Sequence, residues 1–199
     1  MSDRFRILKL PNFRIGHTIF SYLQLSSTQK KAKELVNNVA NGTVVVSRIQ
    51  TEGKGRGDDI WISEIGGLYF SIIYVTFSLN DQITNLTKTL AVGVKTAIEK
   101  VVSPLSAIDL EIKGINDLIL SKKKLAGILV ETESFVKFNA QMDKKPKVYI
   151  LGIGINVNQI SFPKHLKDIA TSLLIETGYR ISRLEILKSV CEELDKLLE

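Results

Sequence analysis

From Gln50 to Trp61 the chain reads Gln50-Thr51-Glu52-Gly53-Lys54-Gly55-Arg56-Gly57-Asp58-Asp59-Ile60-Trp61. Glycines at alternate positions let a backbone turn tightly and approach a ligand without Cβ interference. Lys54 and Arg56 stand between them, so whatever the loop encloses meets two cations. A cationic glycine-rich loop ending in a Trp suits a phosphate-bearing ligand with a flat aromatic group. The common phosphate motifs do not fit. A P-loop needs Ser or Thr after Gly53-Lys54, where Gly55 stands, and a Gly where Arg48 stands. The dinucleotide fingerprint needs a third Gly at Asp58.

Two further segments extend the pattern. Ile112-Lys113-Gly114-Ile115-Asn116-Asp117 runs through Lys122-Lys123-Lys124 to Leu125-Ala126-Gly127-Ile128-Leu129-Val130-Glu131, two β-runs about a basic hairpin. Ile150-Leu151-Gly152-Ile153-Gly154-Ile155-Asn156 reads as a buried strand whose glycines leave room for a neighbour.

Together with Ser27-Thr28-Gln29 and Gly66-Gly67-Leu68-Tyr69, this ordered set resembles the biotin protein ligases, from about Ser27 to Leu173. That family has a Ser-Thr-Asn start, a Gln-Thr-x-Gly-Arg-Gly-Arg loop with a downstream Trp, and a Gly-Gly-Leu-Tyr strand. A Lys-Trp-Pro-Asn-Asp segment then leads into Lys-x-Ala-Gly-Ile-Leu-Val-Glu and Gly-Ile-Gly-Ile-Asn. The resemblance implies a two-step chemistry. A biotin carboxylate attacks the α-phosphate of ATP, giving biotinyl-5′-adenylate and pyrophosphate; an acceptor lysine of a biotin carboxyl carrier protein then attacks the mixed anhydride.

Residue by residue, the resemblance makes Arg56 and Lys124 the catalytic cations, where an anion must meet an anion. Biotin contacts are implied at Ser27, Thr28, Gln29, Gln50, Lys54, Gly55, Arg56, Gly67, Leu68, Tyr69, Lys124 and Gly127. ATP or adenylate contacts are implied at Gly53, Lys54, Arg56, Trp61, Lys113, Asn116, Asp117 and Asn156. Magnesium is expected with the ATP, without a dedicated protein cage. Several positions depart from the family pattern: Gln29 for Asn, Lys54 for the first Arg, Asp59 for a third Arg, and Gly114-Ile115 for Trp-Pro. Two rival readings stay open: a lipoate–protein ligase, sharing the fold and acyl-adenylate chemistry, and a degenerate, non-catalytic biotin or biotinyl-adenylate binding module.

These residues need a scaffold. At 199 residues, with 44% hydrophobic and 24% charged residues, one soluble domain is the expectation. No apolar run reaches membrane-span length, and Met1 to Leu10 carries charges rather than a signal-peptide core. Cys191 is the single cysteine, which excludes an internal disulfide and suits a cytoplasmic enzyme. The net charge of +6 suits a nucleotide and an acidic protein partner. The short stretch before Ser27 argues against a helix-turn-helix domain and specific DNA binding. No SH3-like C-terminal domain is expected after the last helix. Self-association as a homodimer through a sheet edge is undecided by the residues.

Strands are expected at Thr18–Leu25, Val44–Ser47, Leu68–Leu79, Ile108–Ile112, Asp117–Leu120, Leu125–Glu131, Ser134–Ala140 and Lys147–Val157. Helices are expected at Thr28–Val39, Gln82–Val102, Asp168–Thr177 and Arg183–Leu198. Strands outnumber connecting helices and several join through tight turns. The fold class is therefore α+β, a mixed sheet backed by helices; the resemblance adds the catalytic fold of biotin ligases and class II aminoacyl-tRNA synthetases.

Overall fold

The computed structural model describes residues 5–10, 12–77, 82–133 and 146–198. Among these, eight strands form one sheet: β1 (Phe5–Leu8), β2 (Ile19–Tyr22), β3 (Val44–Ser47), β4 (Leu68–Thr76), β5 (Leu110–Lys113), β6 (Asp117–Leu120), β7 (Lys123–Glu133) and β8 (Lys147–Ile155). Their spatial order is β1-β2-β3-β4-β8-β7-β6-β5. β2 and β3 are parallel and the other neighbours antiparallel, so the sheet is mixed, as the sequence leads one to expect. Four helices accompany it: α1 (Thr28–Leu35), α2 (Ile83–Val102), α3 (Leu173–Thr177) and α4 (Arg183–Leu197).

The period-2 alternation of a strand sorts side chains to two faces. Along β4, Leu68, Phe70, Ile72 and Tyr74 join the larger core with Leu90, Val94 and Ile98 of α2 and Ile186, Val190 and Leu194 of α4. Ile73 faces the other way, into a smaller cluster with Ala32 of α1, Val36 just past that helix, and Ile150 of β8. Gly93 of α2 lets the two large-core helices close up: a Cβ there would stand 2.6 Å from a Leu194 methyl.

Several boundaries differ from the sequence expectation. β1 was not foreseen; all four of its residues are exposed, so no buried face marks it. The helix expected from Asp168 begins only at Leu173. The residues before it pair with Lys124 instead: Lys124 N donates to Ile169 O at 2.8 Å and Thr171 N to Lys124 O at 3.0 Å. Ser172 then caps α3 by accepting from Ile175 N at 3.2 Å. The strand expected at Ser134–Ala140 lies outside the described residues.

Candidate active site

On the face that carries α1, the strands are floored by glycine. Gly152 pairs with Ser71 and Gly154 with Gly127 across β8. A Cβ on Gly152 would stand 2.9 Å from the Gln29 carboxamide, and one on Gly154 2.6 Å from Trp61 Cε2 and Nε1. A Cβ on Gly127 would meet the same indole at 2.8 Å. These side-chain-free positions are what allow α1 and Trp61 to lie on the sheet and still leave space.

That space is a cavity of about 380 Å³, within the range of small-molecule sites. Ser27, Thr28 and Gln29 line it from the start of α1, Gln50 from the end of the β3 segment, and Asn116, Asp117, Lys124 and Gly127 from the β6–β7 hairpin. Gly152, Gly154 and Asn156 come from β8 and the residue just beyond it. Lys54, Gly55, Arg56 and Trp61 come from a small hairpin, in which Gly55 N donates to Asp59 O at 2.8 Å and Trp61 N to Gly53 O at 3.0 Å. Gly57, at its tip, has φ +57, a backbone state that glycine adopts without strain.

The polar groups divide into those already paired and those left open. Gln50 is paired at both ends. Its Oε1 accepts from Thr28 N at 2.7 Å and from Thr28 Oγ1 at 3.1 Å, and its Nε2 donates to Ser63 Oγ at 2.8 Å. Gln50 thus does for α1 what an N-cap side chain normally does, since Ser27 makes no cap bond. Ser71 Oγ donates to Thr28 Oγ1 at 2.8 Å. In contrast, Ser27 Oγ, Gln29 Oε1 and Trp61 Nε1 are buried without any hydrogen-bond partner. An unpaired buried polar atom costs about 1–3 kcal/mol, and these three belong to residues that line the cavity.

Lys124 supplies the charge. Its Nζ lies 2.9 Å from Asp117 Oδ1 and 5.4 Å from the centre of the Trp61 ring. Asp117 Oδ1 also accepts from Asn116 Nδ2 at 2.9 Å. The neighbouring lysines point elsewhere: Lys122 is exposed in the positive-φ turn, and Lys123 Nζ donates to Lys167 O at 3.1 Å. Arg56 is exposed on the cavity hairpin. Among the described residues no group of three or more His, Cys, Asp or Glu side chains could hold a metal ion.

Five residues expected to touch ligand lie outside the cavity lining. Leu68 belongs to the larger core, because strand alternation turns it toward α2. Gly67 carries a backbone carbonyl that accepts from Arg183 Nη1 at 3.1 Å. Tyr69 is on the cavity's side of the sheet, but its hydroxyl donates to Glu64 O at 2.8 Å and accepts from Gln159 Nε2 at 3.1 Å. Burial pushes that phenol well above its usual range, so it stays neutral. Gly53 closes the base of the hairpin, where a Cβ would collide with the Trp61 carbonyl. Lys113 is exposed at the end of β5, before a turn in which Gly114 has φ +65; glycine suits that turn where the family pattern has Trp.

Other lining residues came from no motif. Phe162, Leu166, Ile169 and Ala170 reach the cavity from the segment that follows β8. Their signal lay in tertiary pairing, the bridge between Lys124 and Ala170. Gln159 also went unforeseen. It donates to Asn156 Oδ1 at 3.0 Å and accepts from Ser172 Oγ at its backbone carbonyl at 2.6 Å, tying the end of β8 to α3.

A mixed sheet with a glycine floor, a helix N-terminus on one side and a cationic hairpin on the other defines an α+β ligand-binding domain. Residues 20–143 match the family described as "Biotin/lipoate A/B protein ligase family", and the chain belongs to it. The solved biotin protein ligase from Aquifex aeolicus in complex with biotin and ATP superposes with a TM-score of 0.75 at 33% identity, covering 90% of this chain and 69% of that one. The biotin protein ligase from Leishmania major in complex with biotinyl-5-AMP shares the fold, with a TM-score of 0.70 at 21% identity over 89% of this chain and 73% of that one. The bifunctional ligase/repressor BirA of Bacillus subtilis is 39% identical over 180 residues, 88% of this chain and 52% of its own length. The chain thus spans about half the length of that relative.

Proposed function

We propose that this chain is an ATP-dependent biotin ligase that forms biotinyl-5′-adenylate and transfers the biotinyl group to a lysine of a biotin carboxyl carrier domain in the cytoplasm. In the first step a biotin carboxylate oxygen attacks the α-phosphorus of ATP and the bond to the β-phosphate oxygen breaks, releasing pyrophosphate. In the second the acceptor amine attacks the acyl carbon, AMP leaves, and the amine loses a proton. Lys124 meets the first step's difficulty, since its ammonium can stand between the carboxylate and the α-phosphate and counters the charge that builds as they approach. Asp117 and the Trp61 ring hold that ammonium ready before ligand arrives. Arg56, on the hairpin, is suited to clamp the phosphate and to order the loop over it. Magnesium, if carried in with the nucleotide, would supply counter-charge for the phosphates, and Asp59 and Asp117 are the carboxylates of the cavity lining that could face it.

The observation that carries the reading is the single cavity lined both by Lys124 and by the residues of the three unpaired buried polar atoms, Ser27, Gln29 and Trp61. A ureido ring brings both N–H donors and a carbonyl acceptor to such a site. The dithiolane ring of lipoate brings neither and would leave them unpaired, which sites built for hydrogen bonds reject strongly. Incubation with ATP, magnesium and either biotin or lipoate, following pyrophosphate, tests this. Release dependent on biotin supports it; release dependent on lipoate turns the reading to a lipoate ligase, and binding without release turns it to a non-catalytic module.

A further inference from the structure

Among the described residues, five large apolar side chains are far more exposed than the rest: Ile60 at 79%, Ile160 at 76%, Leu23 at 70%, and Ile65 and Ile169 at 60% each. The other exposed large apolar side chains lie at 54% or below. Apolar residues scattered singly over a surface are ordinary; these are gathered at one end of the sheet. Leu23 directly follows β2, and Ile60 and Ile65 lie in the connection from β3 to β4. Ile160 follows β8, and the Ile169 carbonyl accepts from Lys124 N near the start of β7. The pairing of β2 with β3, β3 with β4, β4 with β8 and β8 with β7 puts all of these strand ends on the same side. At the usual strand spacing they span roughly 19 Å.

This is also the end that holds the cavity. Ile60 and Ile169 line it with Trp61 and Lys124, whereas Leu23, Ile65 and Ile160 stand outside the lining. The loops that carry Ile65 and Ile160 pack on each other. Asn158 N donates to Gly66 O at 2.9 Å, and a Cβ on Gly66 would stand 2.9 Å from Gln159 N. A gathered apolar surface of this kind marks a place for a partner. The reaction names the occupant, because its second step brings a macromolecule to this cavity. The acceptor amine rides on a four-carbon stem, so the acceptor's backbone must come to the rim.

We infer that Leu23, Ile65 and Ile160, continuous with Ile60 and Ile169 at the cavity, form the face on which the acceptor domain docks through an apolar surface of its own. The inference rests on the ligase reading above and adds to it the surface and the chemistry of the contact. The contact draws its strength from apolar area removed from water.

The test uses the full chain with biotin, ATP, magnesium and a biotin carboxyl carrier domain as acceptor. Leu23→Ser, Ile65→Ser and Ile160→Ser, singly and combined, are compared with Val92→Ser and Leu184→Ser, similar changes at exposed positions on α2 and α4. Each face variant should lower kcat/KM for transfer by about three- to tenfold, and the triple variant by about a hundredfold, with the loss in KM for the acceptor. Pyrophosphate release without acceptor should stay within about twofold, since these three side chains do not line the cavity. Consumption of the adenylate by hydroxylamine, a nucleophile too small to need a docking face, should be equally unchanged. The two helix variants should transfer like wild type.

Wild-type transfer by the triple variant overturns the docking face and leaves the ligase reading intact. An equal loss with hydroxylamine also overturns it, since these residues would then act on the adenylate itself. A wild-type dimer that the triple variant dissociates, with transfer unchanged, overturns it in favour of a second copy of the chain. A wild-type chain that forms no adenylate overturns the ligase reading as well.

Discussion

Lys124 Nζ sits 2.9 Å from Asp117 Oδ1, and the same ammonium lies over the Trp61 ring. The two partners come from the two arms of the site, Asp117 from the β6–β7 hairpin and Trp61 from the cationic loop. A cation between them is positioned before any anion arrives. Both ionic side chains are partly exposed, so the pair contributes little to folding and its worth lies in orientation.

Lys124→Ala should therefore slow biotin-dependent pyrophosphate release by about two to three orders of magnitude, the usual effect of removing a group aimed at developing charge. Biotin affinity should change far less, since the ammonium matters most as the two anions close. Lys122→Ala and Lys123→Ala should stay near wild type, because neither side chain lines the cavity. Equal losses at all three positions would point instead to a diffuse basic patch.

Arg56→Ala addresses retention. Losing one charge-assisted contact to the phosphate should speed release of the adenylate by about tenfold or more. Dialysis of enzyme loaded with labelled adenylate measures it directly. A variant that holds the adenylate as long as wild type does would remove Arg56 from the site's machinery.

Gly154→Ala tests the seat of the indole. The added methyl would stand 2.6 Å from Trp61 Cε2 and Nε1, so the ring must shift. Overpacking of this kind costs about 1–3 kcal/mol, leaving the chain folded but with a lowered melting temperature. Trp61 is the single tryptophan, so its emission reports the shift without interference. Altered emission together with weaker biotin binding is expected; an unchanged spectrum would mean that the ring does not rest on β8.

How much of this was legible in the sequence depends on the range of the interaction. The segments at Ser27–Gln29, Gln50–Trp61, Asn116–Gly127 and Gly152–Asn156 carry local signals, and the fold brings them to one cavity. The mixed sheet was legible for the same reason, since strand alternation and turn residues are local. Which face a strand residue takes was harder. Leu68 and Tyr69 are neighbours in a largely apolar run, and the packing of α2 and α1 on opposite faces separates them. The hydrogen bond from Gln29 to Glu131 was hidden altogether, because the two residues are 102 positions apart along the chain. So was the pairing of the 169–171 segment with Lys124, which replaced the expected start of a helix.

The pH dependence of stability should carry the mark of Cys191. Burial pushes this thiol from 9.0 to about 12, with Asp195 adding to the rise. The folded chain therefore keeps the proton while the unfolded chain loses it above pH 9.0. The thiol's contribution is fully present below that pH and is lost progressively toward about 12. The slope is about 1.4 kcal/mol per pH unit. Chemical denaturation of wild type and Cys191→Ala across this window isolates it: wild type should lose stability faster as pH rises. Parallel curves would mean that the thiol is accessible to water.

The central claim is tested most directly by a single-turnover reaction with ATP labelled at the α-phosphate. With biotin and magnesium, label should appear in a protein-bound biotinyl adenylate. Addition of a carboxyl carrier domain should then convert it to labelled AMP as biotin reaches the acceptor lysine. Label remaining in ATP whether or not biotin is present, while the folded chain still binds both substrates, would contradict the account.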